Sequence, residues 1–155
     1  MTSRDLSVSD YQALAGLRFQ IRCFLRFSET AARAEGLEPQ QHQLLLAIRA
    51  MDQQGGPTIG HLADHLLIQH HSAVGLIDRL ASHGLVERAR SEADRRQVRI
   101  RLTVEGEEKL RRLTAEHRSE LRNSGPLLVA TLGALLEGLS KTEEGNVSET
   151  EDCRA

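Results

Sequence analysis

Residues 85–102 constrain this chain more than any other stretch. They read LVERAR, SEADRR and QVRIRL: two short runs of alternating apolar and charged residues around a loop of Ser, Glu, Asp and Arg. Alternation with a period of two marks a strand with one buried face. Two such runs across a polar loop predict a β-hairpin, with strands over Leu85–Arg90 and Gln97–Leu102 and a tip at 91–96. Two short apolar stripes of helical spacing lie just ahead of it. Ile59, Leu62, Ala63 and Leu66 form one; Ala73, Leu76, Ile77 and Leu80 form the other, after a break at Leu67-Ile68. Thr58 is placed to cap the first, and the second spans about Gln69–Ser82, closed by His83-Gly84. Two short helices joined by a tight turn make a helix-turn-helix. Followed directly by a basic hairpin, they predict a winged helix.

The rest of the chain is helical. Residues 9–34 carry Leu14, Leu17, Ile21, Phe24, Ser28 and Ala31 at alternating spacings of three and four, the seam pattern of paired helices. Gly36 ends that helix, and Pro39 opens the next in its first turn, with Leu44, Leu45, Ile48 and Met51 on its buried side. Residues 53–57 form a loop. Thr103 caps a fifth helix bearing Leu110, Leu113, His117 and Leu121. Asn123-Ser124-Gly125-Pro126 interrupts it, and a sixth runs over about 126–139 with Leu128, Leu132, Leu135, Leu136 and Leu139.

The predicted fold class is therefore mainly α, a winged helix-turn-helix with extra helices at both ends. One domain covers 1–140. Its winged helix spans about 37–102, and its flanking helices span about 9–35 and 103–140. Residues 141–155 form an acidic tail without apolar anchors, read as disordered. The leucine faces exceed what the winged helix needs, and a second copy of the chain is the economical partner. Leu14, Leu17, Ile21, Leu121, Leu128, Leu132, Leu135 and Leu139 are the candidate dimer contacts.

Charge sharpens the reading. The net charge is -2, yet residues 79–101 hold seven arginines against Glu87, Glu92 and Asp94, while the tail carries two cations against five acids. Eighteen of the twenty cations are arginine. The planar guanidinium suits phosphates and guanine edges, so the local charge marks a polyanion partner, double-stranded DNA. A helix admitted to the major groove reads bases from its N-terminal part. His70, His71 and Ser72 are the candidate readers, Gly75 would let the backbone sit close to the DNA, and Arg79 reads as a phosphate or salt-bridge residue. Arg95 and Arg96 at the hairpin tip are candidates for the minor groove. Arg88, Arg90, Arg99 and Arg101 read as phosphate contacts or as cross-strand partners of Glu87 and Glu92. Aromatic residues make up only 3% of the chain, which disfavours single-strand RNA, whose readers need stacking platforms.

At these residues the sequence resembles the MarR family (multiple antibiotic resistance regulators). The family's wing signature is Asp, any residue, Arg, three residues, a β-branched residue, any residue, Leu, Thr. It stands here as DRRQVRIRLT, with Asp94, Arg96, Ile100, Leu102 and Thr103. SAVGLIDRLASHGLVER, residues 72–88, looks like the recognition helix and its exit into the wing. The resemblance covers about residues 8–140. It implies a homodimeric winged-helix regulator on pseudo-palindromic operators, usually a repressor, dimerised through the terminal helices. It also implies that Arg96 enters the minor groove with Asp94 orienting it, and that Ser72, Val74 and Gly75 occupy base-contacting positions. Val74 and Gly75 depart from the polar or basic residues usual there. Many relatives release DNA on binding a small, often aromatic, anion. A small-molecule effector is thus admitted, but no aromatic-lined pocket is evident and no cofactor is expected.

Two other readings stand beside this one. Cys23, in RCFLRF, resembles the reactive cysteine of the hydroperoxide-sensing branch, although the tyrosine partners of that branch are missing. A winged helix can also serve as a protein-docking module without DNA; the arginine clustering argues against it. His61 and His65 stand four apart on one helix, a candidate metal pair, but Leu62 occupies the place of a zincin's general base, and no enzyme is expected. His42 and His117 read as surface or interface residues. Two distant cysteines, no apolar leader and no bilayer-length apolar run predict a cytoplasmic protein without a membrane partner.

Overall fold

The computed structural model describes residues 6–53, 55–90, 94 and 96–144, with side chains up to Glu137. Five helices and two strands follow one another: α1 (Val8–Ala34), α2 (Pro39–Ala50), α3 (Ile59–Leu66), α4 (His70–Ser82), β1 (Val86–Arg90), β2 (Val98–Leu102) and α5 (Val104–Glu144). The chain divides into two compact units, residues 28–117 and residues 1–27 with 118–155.

Local chemistry sets the elements of the first unit. Pro39 sits at the start of α2, where its missing N–H removes no helical hydrogen bond. Glu38 and Gln41 cap each other there, the Glu38 amide donating to Gln41 Oε1 at 2.9 Å. Thr58 Oγ1 accepts from the His61 amide at 3.3 Å and opens α3. That helix ends at Leu67, whose φ of 54° and ψ of 41° are left-handed, while the Ile68 amide donates to the Ala63 carbonyl at 3.0 Å. Thr103 caps α5, accepting from the Gly106 amide at 3.1 Å. Gly106 lies so close to the Leu85 carbonyl that no Cβ fits, which lets α5 start directly behind the hairpin.

The strands pair antiparallel, with Val86 opposite Leu102, Arg88 opposite Ile100 and Arg90 opposite Val98. α2, α3, α4 and the hairpin share one core. Leu44, Leu45, Ile48, Leu62, Ile77, Leu80, Ile100 and Leu113 are fully enclosed. Each such side chain contributes about 1.5–3 kcal/mol on burial.

Two expectations need correction here. Residues 123–126 do not interrupt the last helix, because α5 runs unbroken from Val104 to Glu144 with Pro126 inside it. A proline removes one amide and crowds the preceding turn, but the rest of a long helix keeps its own hydrogen bonds. Ser124 turns inward on the ladder, its hydroxyl donating to the Glu120 carbonyl at 3.1 Å. His42 is no surface residue: it is 4% exposed in α2, with its ring 4.9 Å from that of His117. His117 Nδ1 donates to the Leu113 carbonyl at 2.7 Å, and its Nε2 is hydrogen-bonded to the Ser28 hydroxyl at 2.8 Å. Burial, and secondly the neighbouring His117, lowers the His42 pKa from 6.5 to about 4.

In the second unit the apolar side chains of the helices stay largely uncovered. Leu14, Ile21, Leu121 and Leu132 are exposed, and Leu17, Leu128 and Leu135 are half-buried. The side chain of Leu139 lies outside the described residues. Among the described residues no helix is long and apolar enough to cross a membrane.

Candidate nucleic-acid interface

α4 has two sides because its apolar residues recur every three to four positions. Ala73, Leu76, Ile77 and Leu80 are buried against α2, α3 and β1. His70, His71, Asp78, Arg79 and Ser82 are exposed on the other side, with Ser72, Val74 and Gly75 half-buried between. Arg79 runs back along the helix, so that a Cβ at Gly75 would stand 3.9 Å from its Nη1. The glycine leaves the backbone bare in the middle of the outward face. Ser82 Oγ and His83 Nδ1 both donate to the Arg79 carbonyl, at 2.8 and 2.7 Å, and close the helix.

The hairpin stands beside α4, and its arginines divide into two groups. Arg88 Nη2 donates to Asp78 Oδ1 at 2.5 Å, tying β1 to the outer face of α4. Its partner is therefore Asp78 and not Glu87; Glu92 lies outside the described residues. Arg99 also leaves the set of free cations. Half-buried, it donates from Nη1 to the Gly56 carbonyl at 3.0 Å and from Nη2 to Gln97 Oε1 at 2.9 Å. Arg101 Nε donates to the Gly55 carbonyl at 2.9 Å. A strand that packs against a glycine turn offers its arginines main-chain oxygens nearby, and these two take them. Arg79, Arg90 and Arg96 are exposed, and among the described residues their guanidiniums make no hydrogen bond or ion pair.

Asp94 acts on the backbone of the tip. Its Oδ1 accepts from the Arg96 amide at 3.0 Å, and its carbonyl accepts from the Gln97 amide at 3.0 Å. Both bonds hold the chain in the turn from which Arg96 projects. Arg95 lies outside the described residues. Cys23 is an exposed free thiol on α1. His61 and His65 are exposed on α3, and among the described residues no three His, Cys, Asp or Glu side chains are grouped to hold a metal. Gly55-Gly56-Pro57, a plain loop by sequence, belongs to the support of the wing. The signal for it is the glycine pair, both at positive φ, which allows a close approach to a neighbouring strand.

A short helix pair with a polar outer helix and a basic hairpin beside it is a winged helix-turn-helix, the class to which residues 37–102 conform. Comparisons with known proteins narrow the class. Residues 35–97 match the model of the MarR family. The chain is 38% identical over 69 residues to the HTH-type transcriptional regulator YsmB of Bacillus subtilis, a match covering 44% of this chain and 47% of the relative. It is 28% identical over 116 residues to the transcriptional activatory protein BadR of Rhodopseudomonas palustris, covering 68% of this chain and 66% of that one. The chain thus spans about half to two thirds of the length of the curated relatives it matches. The fold is that of AbsC, a MarR family regulator of Streptomyces coelicolor, with a TM-score of 0.69, 20% identity, and 92% and 99% of the two chains covered. It is also that of a cysteine-to-serine variant of MarR from E. coli complexed with operator DNA, with a TM-score of 0.61, 24% identity, and 79% and 89% covered.

Proposed function

We propose that this chain is a homodimeric, sequence-specific regulator of transcription that binds double-stranded DNA. α4 enters the major groove through His70, His71, Ser72, Val74 and Gly75, with Arg79 on a phosphate. The wing reaches the minor groove with Arg96, held by Asp94, and with Arg95; Arg90 lies along the backbone. The observation that carries this reading is the outward face of α4, polar and glycine-thinned, flanked by a hairpin whose Arg90 and Arg96 point to solvent. The clustering of arginines argues against a role confined to docking a protein partner.

The partly uncovered leucines of α1 and α5 support the dimer. Leu14 is 52% exposed and Leu132 44%, more than a solitary pair of helices gains from. Two winged helices in a symmetric dimer fit a pseudo-palindromic site. The chain works without catalysis, in the cytoplasm, and in the sense usual for the family it represses the promoter it covers.

The test is binding to duplex DNA from upstream of its own gene across a salt series. Specific affinity falls steeply with salt when arginines displace counterions. Arg96→Ala is expected to lose at least about tenfold in affinity, the cost of one good groove contact, with the dimer intact by sedimentation. Unchanged affinity removes the minor-groove role, and a monomer at working concentration removes the two-fold reading.

A further inference from the structure

We propose that Arg99 and Arg101 are positioning residues of the DNA interface: they fasten β2 to the turn ahead of α3, set where the wing stands, and touch no phosphate themselves. This inference rests on the DNA-binding reading above.

Three hydrogen bonds join the turn to the strand. Arg101 Nε donates to the Gly55 carbonyl at 2.9 Å, Arg99 Nη1 to the Gly56 carbonyl at 3.0 Å, and the Ile100 amide to the Pro57 carbonyl at 2.9 Å. Arg99 and Arg101 are two apart on a strand, so they project from the same face and grip successive carbonyls. Gly56, at φ 98°, comes so close to the Ile100 carbonyl that no Cβ fits between them. Arg99 Nε is sealed from solvent and has no partner among the described residues. A buried donor left unpaired costs free energy, and the side chain bears that cost to keep its grip on Gly56. Its conformation is that of a fixed strut, not of a free arm. The turn ends two residues before α3, the first helix of the helix-turn-helix, and β2 leads back to the tip that carries Arg96. The two arginines therefore couple the reading helices to the wing.

A strut and a phosphate ligand differ in their response to salt. Duplex affinity is measured by fluorescence anisotropy with the chain's own upstream DNA at several salt concentrations. Arg99→Gln, alone and with Arg101→Gln, is expected to weaken binding at least about tenfold at every salt, with the slope of log affinity against log salt unchanged. Arg90→Ala, which removes a cation placed along the DNA backbone, is expected to lower that slope by about 1. In the Arg96→Ala background, Arg99→Gln is expected to cost under about threefold, because the misplaced wing has little left to contribute. A role in stability alone costs the same in both backgrounds. Gly56→Ala removes no charge, pushes the turn off β2, and is expected to reproduce the Arg99→Gln pattern. A thermal melt accompanies each variant, and Arg99→Lys, which keeps the charge but loses the fork, serves if the glutamine variant does not fold. A slope that falls with Arg99→Gln, an undiminished loss in the Arg96→Ala background, or unchanged affinity overturns the proposal. An unaltered chain that binds no duplex at any salt overturns the DNA reading itself, which is a different result from binding that ignores Arg99.

Discussion

Arg88 on the first wing strand and Asp78 on the outer face of α4 form an ion pair, Nη2 to Oδ1 at 2.5 Å, with both side chains more than a third exposed. The pair spends one cation and places one anion on the face proposed to meet DNA. Exposed pairs contribute little, under about 1 kcal/mol. Asp78→Asn is therefore expected to leave the urea midpoint nearly unchanged. It is expected to raise duplex affinity and to steepen the salt dependence by about one counterion per chain, as Arg88 becomes free for a phosphate. Weaker binding after Asp78→Asn means instead that Asp78 holds Arg88 in its working place.

Gly75 is a costly residue for the middle of a helix, about 1 kcal/mol worse than alanine. Nothing in the free protein forbids a methyl there, since a Cβ makes only an ordinary 3.9 Å contact with Arg79. Gly75→Ala is expected to raise the urea midpoint at constant slope while lowering duplex affinity. Higher stability with full affinity shows that the bare backbone has no part in approaching the groove.

Leu67 stores strain at the turn between α3 and α4. It is the one non-glycine residue at positive φ among the described residues, and its side chain is 93% exposed. The left-handed conformation costs an L-residue about 1–2 kcal/mol, less for asparagine, and there is almost no packing to lose. Leu67→Asn is expected to stabilise the fold by up to about 1 kcal/mol, read as a shift in urea midpoint.

His42 makes stability depend on pH. Its folded pKa of about 4 lies below the ordinary 6.5, so the folded state binds the proton more weakly than the unfolded chain. Its contribution is complete above 6.5 and is lost as the pH falls towards 4. The loss is bounded at roughly 3–4 kcal/mol, at about 1.4 kcal/mol per unit. Glu35 and Glu108 are held below the usual carboxylate value of 4.5, each chiefly by a hydrogen bond from an arginine, Arg112 for Glu35 and Arg111 for Glu108. Their losses begin lower, and the upper part of the window belongs to the imidazole. His42→Gln is expected to flatten stability between pH 6.5 and 5 in urea titrations, and an unchanged slope assigns the titration elsewhere.

What the sequence determined alone was the set of local decisions. Thr58, Pro39 and Thr103 start their helices through contacts within three or four residues, and the alternation in 98–102 declares a strand with Ile100 inward. Such signals lie within one turn or one pleat and can be read along a line. What only the tertiary structure decided was which cations remain free. Arg99 meets a carbonyl 43 residues away and Arg101 one 46 residues away, while Arg88 finds Asp78 ten residues upstream. Composition counts all three as charge for a polyanion, because an arginine's partner depends on which main-chain oxygens the fold brings within reach. His42 is a case of the same kind: its burial follows from the packing of α2 and not from its neighbours in sequence. The unbroken α5 shows the limit of local rules, since one proline removes a single hydrogen bond from a helix of 41 residues that has many others.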